Sequence, residues 1–89
     1  MRAIVTVIGT DRVGIIAGIS TVLADANVNI LDITQTTMQG IFTMIMLVNV
    51  KEASVSLEEL DKRLKAKGES LGLQVRIQRE DIFNSMHRI

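Results

Sequence analysis

With 89 residues the chain has room for one core, since a domain typically occupies about 100 to 150 residues. A hydrophobic share of 47% beside 22% charged residues is a globular balance and excludes disorder as the main state. Ten basic and ten acidic residues cancel, with the basic ones scattered from Arg2 to Arg88, which excludes a field for nucleic acid; without cysteine there is no disulfide or thiolate site, and His87 alone cannot assemble a zinc set.

Residues 3–8 are β-branched except for Ala3 and apolar on both faces, the pattern of a central strand. The run Gly9-Thr10-Asp11-Arg12-Val13-Gly14 reads as a tight strand-to-helix loop, with Asp11 placed to cap the next element. Over residues 14–26 a single helical stripe follows from Ile15, Ile16, Ile19, Val22, Leu23 and Ala26, and Asn27 suits its end. Residues 29–38 then alternate, with Ile30, Asp32, Thr34 and Thr36 opposite Leu31, Ile33, Gln35 and Thr37, as expected of a half-polar edge strand.

Gln39-Gly40 supplies a turn, and residues 41–50 are apolar on both faces, a second central strand hairpinned to the edge. Ser56-Leu57-Glu58-Glu59 matches a capping box and starts a helix whose stripe is Leu57, Leu60, Leu64 and Leu71. Acidic residues early and basic ones late suit its dipole, and Gly68 or Gly72 is expected to end it. Leu73, Val75 and Ile77 alternate with Gln74, Arg76 and Gln78 in a one-sided strand, and Ile82, Phe83, Met86 and Ile89 give residues 81–89 the pattern of a short amphipathic helix.

This order predicts an α+β, ferredoxin-like βαββαβ sandwich with antiparallel sheet order 4-1-3-2 and both helices on one face. The two strands that are apolar on both faces are those the topology makes central. One domain over residues 1–89 is expected, with a core at 1–80 and a helical extension at 81–89. A domain of this size buries only about 60 to 65% of the surface its unfolded chain exposes, so a homodimer is expected, through either the open sheet face or the edge strand. No window is apolar enough to span a membrane, and Arg2 leads directly into a strand without a signal-peptide pattern, so the expected compartment is the cytoplasm.

The stretch from Thr6 to Ile19, with its Gly9-Thr10-Asp11-Arg12-Val13-Gly14-Ile15 loop, followed by Val28-Asn29-Ile30-Leu31-Asp32-Ile33, closely resembles the ACT domain family. Stand-alone bacterial and archaeal ACT-domain proteins look closest, and the Asp11 to Ala17 string also looks like the ACT segments of formyltetrahydrofolate deformylase and the glycine cleavage repressor. The resemblance implies a regulatory module that senses a small amino acid, with ligand held by Thr10, Asp11, Arg12, Val13, Gly14, Ile15, Asn29 and Ile30 at a dimer interface. In that reading Asp11 faces the ligand ammonium, the loop amides face its carboxylate, and Asn29 starts its strand beside the loop.

Each residue also has a plainer reading. Asp11 serves as a helix cap, Gly14 permits close helix-to-sheet packing, Asn29 forms a turn, and Asp32, Thr34, Thr36 and Thr37 are an exposed edge. Met38, Met44 and Met46 fill core, and His87 is a solvated side chain near the end. One histidine and no cysteine leave no catalytic triad or activated nucleophile to draw, and Gly9 to Gly14 lacks the Lys-Ser/Thr ending of a phosphate loop. No cofactor is expected. The alternative to a ligand sensor is a ligand-free assembly protein that buries its third strand and C-terminal helix against a partner.

Overall fold

A computed structural model describes residues 1–86. The elements are β1 (Arg2–Thr10), α1 (Ile15–Asp25), β2 (Asn29–Met38), β3 (Ile41–Asn49), α2 (Leu57–Leu71), β4 (Leu73–Arg79) and α3 (Glu80–Met86). Their sheet has the order β2-β3-β1-β4 with every pair antiparallel, so the expected ferredoxin-like sandwich with central β1 and β3 is the one that forms. His87, Arg88 and Ile89, and with them the readings of His87 as a solvated cation and of Ile89 in the last apolar stripe, lie outside the described residues.

The core is the layer between the sheet and the two longer helices. Ala3, Val5 and Val7 of β1, Phe42, Met44, Met46 and Val48 of β3, and Leu73, Val75 and Ile77 of β4 meet Ile15, Ile19, Leu23, Leu60 and Leu64 from above. Met44 and Met46 are core, as their alternation implies, whereas Met38 is 68% exposed, because it sits at the turn end of the free edge strand with no helix over it.

Local chemistry fixes the element ends. After α1, the amide of Asn27 bonds Ala24 and that of Val28 bonds Leu23, the reciprocal closure of a helix terminus, with Asn27 at φ 58°. The Asn27 side chain adds a bond to the Glu52 carbonyl at 2.8 Å. Gln39 (φ 49°) and Gly40 (φ 82°) both take left-handed dihedrals between paired Met38 and Ile41, the mirror-image turn that a right-twisted hairpin prefers.

At α2 the Ser56 hydroxyl accepts from the Glu59 amide at 3.1 Å, while the Glu59 carboxylate reaches forward to Arg63 at 3.0 Å. Gly72, at φ 71°, closes the helix, and Gly68 lies inside it against β4. The expected dipole complement holds only at the start, where Glu58 and Glu59 lie; the last turn carries no base and contains Glu69.

A bulge in β2 alters one sequence expectation. The register slips between Ile30 and Asp32, so Ile30 pairs with Val48 but Asp32 pairs with Leu47. Ile30 therefore shares the helix side with Ile33, Gln35 and Thr37, and no longer faces the same way as Asp32 and Thr34. Beyond Ile30 the whole strand is exposed, since neither helix reaches over it.

On the opposite, open face, β4 runs into α3 with no intervening residue, and α3 folds back against β1 and β4. The Arg2 guanidinium clasps the Glu80 carboxylate with contacts of 2.6 and 2.9 Å. Ile4 is buried beneath this end of the sheet, while Ile8 and Ile45 remain 43% and 40% exposed.

Candidate functional site

The loop from Asp11 to Gly14 stands at one end of the sheet and is pinned on two sides. The Asp11 amide donates to the Gly40 carbonyl at 2.8 Å, joining it to the hairpin turn, and the Arg12 guanidinium donates to the Leu71 carbonyl at 3.3 Å. The chain then enters α1 through Gly14 at φ 95°, a dihedral that strains any L side chain.

That geometry corrects the assignment of Asp11 as the helix cap. Gly14 occupies the cap position, no side chain bonds the first-turn amides, and the first turn holds no acidic residue. Asp11 lies too far back along a loop that the Gly40 contact holds to the hairpin. The amides of Ile15, Ile16 and Ala17 thus lack intrahelical acceptors at the positive end of the helix, and the first internal bond runs from the Gly18 amide to the Gly14 carbonyl at 2.9 Å.

These groups border a cleft of about 340 Å³. Its wall is Asp11, Arg12 and Gly14 from the loop and Ile15, Ile16 and Ala17 from the first turn of α1; Gln35 and Thr37 of β2 and Phe42 of β3 complete the lining. The cleft therefore pairs an open helix terminus with one carboxylate, one guanidinium and two neutral polar side chains. Such a set can hold a small zwitterion by its two ends. It offers no nucleophile beside a base, and among the described residues no three acidic, His or Cys groups cluster to hold a metal.

Of the eight residues picked from the sequence, Asp11, Arg12, Gly14 and Ile15 are brought together here. Thr10 is exposed at the end of β1 and Val13 stands 98% exposed at the loop tip, both outside the cleft lining. Asn29 and Ile30 are not beside the loop. Asn29 pairs with Asn49, which pairs with Arg2, so β2 begins at the far end of the sheet, eight ladder steps or about 26 Å away. The reason is topological: with β3 antiparallel to both neighbours, β2 runs parallel to β1, and its start lies with the start of β1. Ile30 is partly buried against the core.

Ile16, Ala17, Gln35, Thr37 and Phe42 line the cleft without having been picked from the sequence, and Gln35 and Thr37, read there only as parts of an edge strand, are the polar ones among them. Their signal was their shared phase with Ile33 on the helix side of β2, and it was obscured because polar residues on an edge strand read as solvent-facing on either side.

Comparison with known proteins bears on the same region. The family model described as ACT domain matches residues 2–78. A UPF0237 protein of Methanocaldococcus jannaschii is 58% identical over 88 residues, covering 99% of this chain and 98% of its own. Among solved structures, an ACT domain protein from Streptococcus pneumoniae superposes with a TM-score of 0.81 at 38% identity, over 93% of each chain. A formyltetrahydrofolate deformylase from Pseudomonas putida KT2440 gives 0.80 at 11% identity, over 91% of this chain and 29% of its own. A candidate glycine cleavage system transcriptional repressor gives 0.76 at 24%, over 88% of this chain and 44% of its own. The last two likenesses show the fold alone.

Proposed function

The chain belongs to the ACT domain family, and on that premise we propose that it is a non-catalytic regulatory module that binds a small amino acid or related metabolite at the β1–α1 loop. ACT domains are small-molecule-binding regulatory modules. The observation that carries the reading is the uncapped start of α1, whose free amides border a cleft that also holds Asp11. A ligand carboxylate would accept from the amides of Ile15 to Ala17, where the helix dipole favours an anion. Its ammonium would face the Asp11 carboxylate, and Gln35 and Thr37 would choose among side chains.

A second copy would complete this site. The outer edge of β2 is unpaired and, beyond Ile30, exposed, with only Asp32 charged, so it lacks the lysines or prolines that block edge pairing. A two-fold axis normal to the sheet through Thr34, near the strand's midpoint, pairs Asp32 of one copy with Thr36 of the other and, across the bulge at Leu31, Ile30 with Thr37. Ile30 of a second copy then lies beside Thr37, which lines the cleft, and its Asn29 beside Met38, at the loop end. This arrangement supports a role for Asn29 and Ile30 across a dimer interface, which a single chain does not give them.

We read residues 1–89 as one domain, with a core at 1–80 and a short extension at 81–89, acting in the cytoplasm. Among the described residues no helix is long and apolar enough to cross a membrane. Isothermal calorimetry against the common amino acids, on wild type and Asp11→Asn, tests the proposal. Heat from one or a few amino acids, weakened at least about tenfold by Asp11→Asn, is expected, a factor equal to about 1.4 kcal/mol. No heat from any of them at millimolar concentration would remove the reading.

A further inference from the structure

A larger groove, about 440 Å³, lies on the other side of the sheet from the loop cleft. Its floor is Ile8 and Ile45, its wall is Thr6, Gln74 and Arg76, and Phe83 of α3 closes one end. Thr6 pairs in register with Arg76 and with Ile45, and Ile8 pairs with Gln74, so these side chains rise from one continuous patch across β3, β1 and β4. Directly opposite residues of antiparallel strands have Cβ atoms about 4.5 to 5.5 Å apart, which places the Thr6 hydroxyl within the sweep of the Arg76 guanidinium.

Arg76 is the distinctive group. Arg2, Arg63, Lys65 and Arg79 pair with carboxylates; among the described residues Arg76, like Arg12, Lys51, Lys62 and Lys67, has no ion-pair partner, and it is the one cation that lines this groove. A guanidinium fork beside an apolar floor, with an amide and a hydroxyl for neighbours, is a receptor for one planar anion on a nonpolar body. A single cation flanked by neutral groups matches a monocarboxylate better than a phosphate, whose greater charge calls for a second base.

A second sheet cannot lie flat across the whole of this face. Sheets stack about 10 Å apart, and α3, about as thick as that gap, already stands on the ends of β1 and β4. The groove lies on the part of this face that α3 leaves open.

We infer that this groove is a second ligand site, distinct from the loop cleft, that takes a small monocarboxylate with an apolar or aromatic body, its carboxylate on Arg76 and its body on Ile8 and Ile45 under Phe83. The site would place a ligand against α3, so occupancy would be felt by the C-terminal helix.

Amide NMR spectra of the full chain during titration with 3-phenylpropionate, and separately with 3-phenylpropionamide, test this. Saturable shifts are expected at Ile8, Ile45, Gln74 and Arg76, with the carboxylate binding at least about tenfold tighter than the amide, as a charge-assisted contact implies. Arg76→Gln should bring the carboxylate down to the affinity of the amide while leaving the amide's own affinity unchanged, and Ile45→Glu should abolish both. Circular dichroism melts would establish that both variants fold. Equal affinity of acid and amide, indifference to Arg76→Gln, shifts confined to residues 11–17, or movement of the four signals on protein dilution without ligand would each overturn the proposal, the last by showing a second copy on this face.

Discussion

Two glycines in the helices, equally unfavourable by propensity, should respond in opposite directions to alanine. In the middle of a helix Gly→Ala gains about 1 kcal/mol from reduced backbone freedom and better propensity. At Gly68 a Cβ would stand 2.6 Å from Val75 Cγ2 and 3.1 Å from the Leu73 carbonyl, and both neighbours belong to the strand on which α2 is seated. The helix must lift off β4 to admit it, and overpacking of this kind costs about 1 to 3 kcal/mol. The net expectation for Gly68→Ala is a loss of about 1 kcal/mol, or a Tm lower by about 4 to 8 °C for a domain of this size. At Gly18 the nearest atoms are Leu71 Cδ1 at 3.0 Å and Lys67 Cδ at 3.4 Å, the ends of side chains that can turn aside. Gly18→Ala should therefore stabilise, by about 0.5 to 1 kcal/mol. The chain has no Trp or Tyr, so urea unfolding is best followed by circular dichroism near 222 nm. Gly68→Ala paired with Val75→Ala should be destabilised by less than the sum of the two single changes, because the contact they share disappears. A Gly68→Ala protein more stable than wild type would refute the close seating of α2 on β4.

Three further outcomes follow from named contacts. Ser56→Ala should cost about 1 kcal/mol in the same unfolding assay, since it removes the acceptor for the Glu59 amide. Thr34→Lys sets two cations face to face on the proposed two-fold axis, so analytical ultracentrifugation should show dimerisation weakened at least about tenfold with monomer stability little changed; an undiminished dimer would exclude pairing through that edge. The Arg79 guanidinium, hydrogen-bonded to Asp81 at 2.7 and 3.2 Å, holds that carboxyl below its ordinary value. A lowered folded-state pKa contributes stability above the unfolded value and loses it as pH falls through the folded one, so the contact should loosen only below the usual carboxylate range, about pH 4. Carbon-detected NMR titration should find Asp81 titrating low, and Arg79→Gln should return it toward the ordinary value.

The fold was legible because two independent signals coincide. Strands apolar on both faces, at residues 3–8 and 41–50, became the central pair, and Gln39-Gly40 supplied the two left-handed positions needed by the hairpin that joins the edge strand to the second of them. Boundaries governed by local chemistry were readable for the same reason, as at Asn27, Ser56 and Gly72. The site was harder to read, because it depends on where chain ends fall in space. Asp11 has the chemistry of a cap, yet its amide is bound to Gly40 and the helix opens on Gly14. Asn29 has the chemistry of a ligand contact, yet strand direction sends it to the far end of the sheet. The bulge at Leu31 leaves no mark in a pattern of alternation that merely loses step once. Arg76 read simply as the polar side of a one-sided strand, since nothing in a sequence tells a paired arginine from an unpaired one.

The bond from the Asp11 amide to the Gly40 carbonyl couples two segments that lie almost thirty positions apart. A hairpin frays from its tip, and here the tip supplies the acceptor that orders the neighbouring bend. Unzipping the first rungs near Met38 and Ile41 would release the bend as well, so deuterium should enter both stretches together, and a solute lodged between them should slow its entry into both.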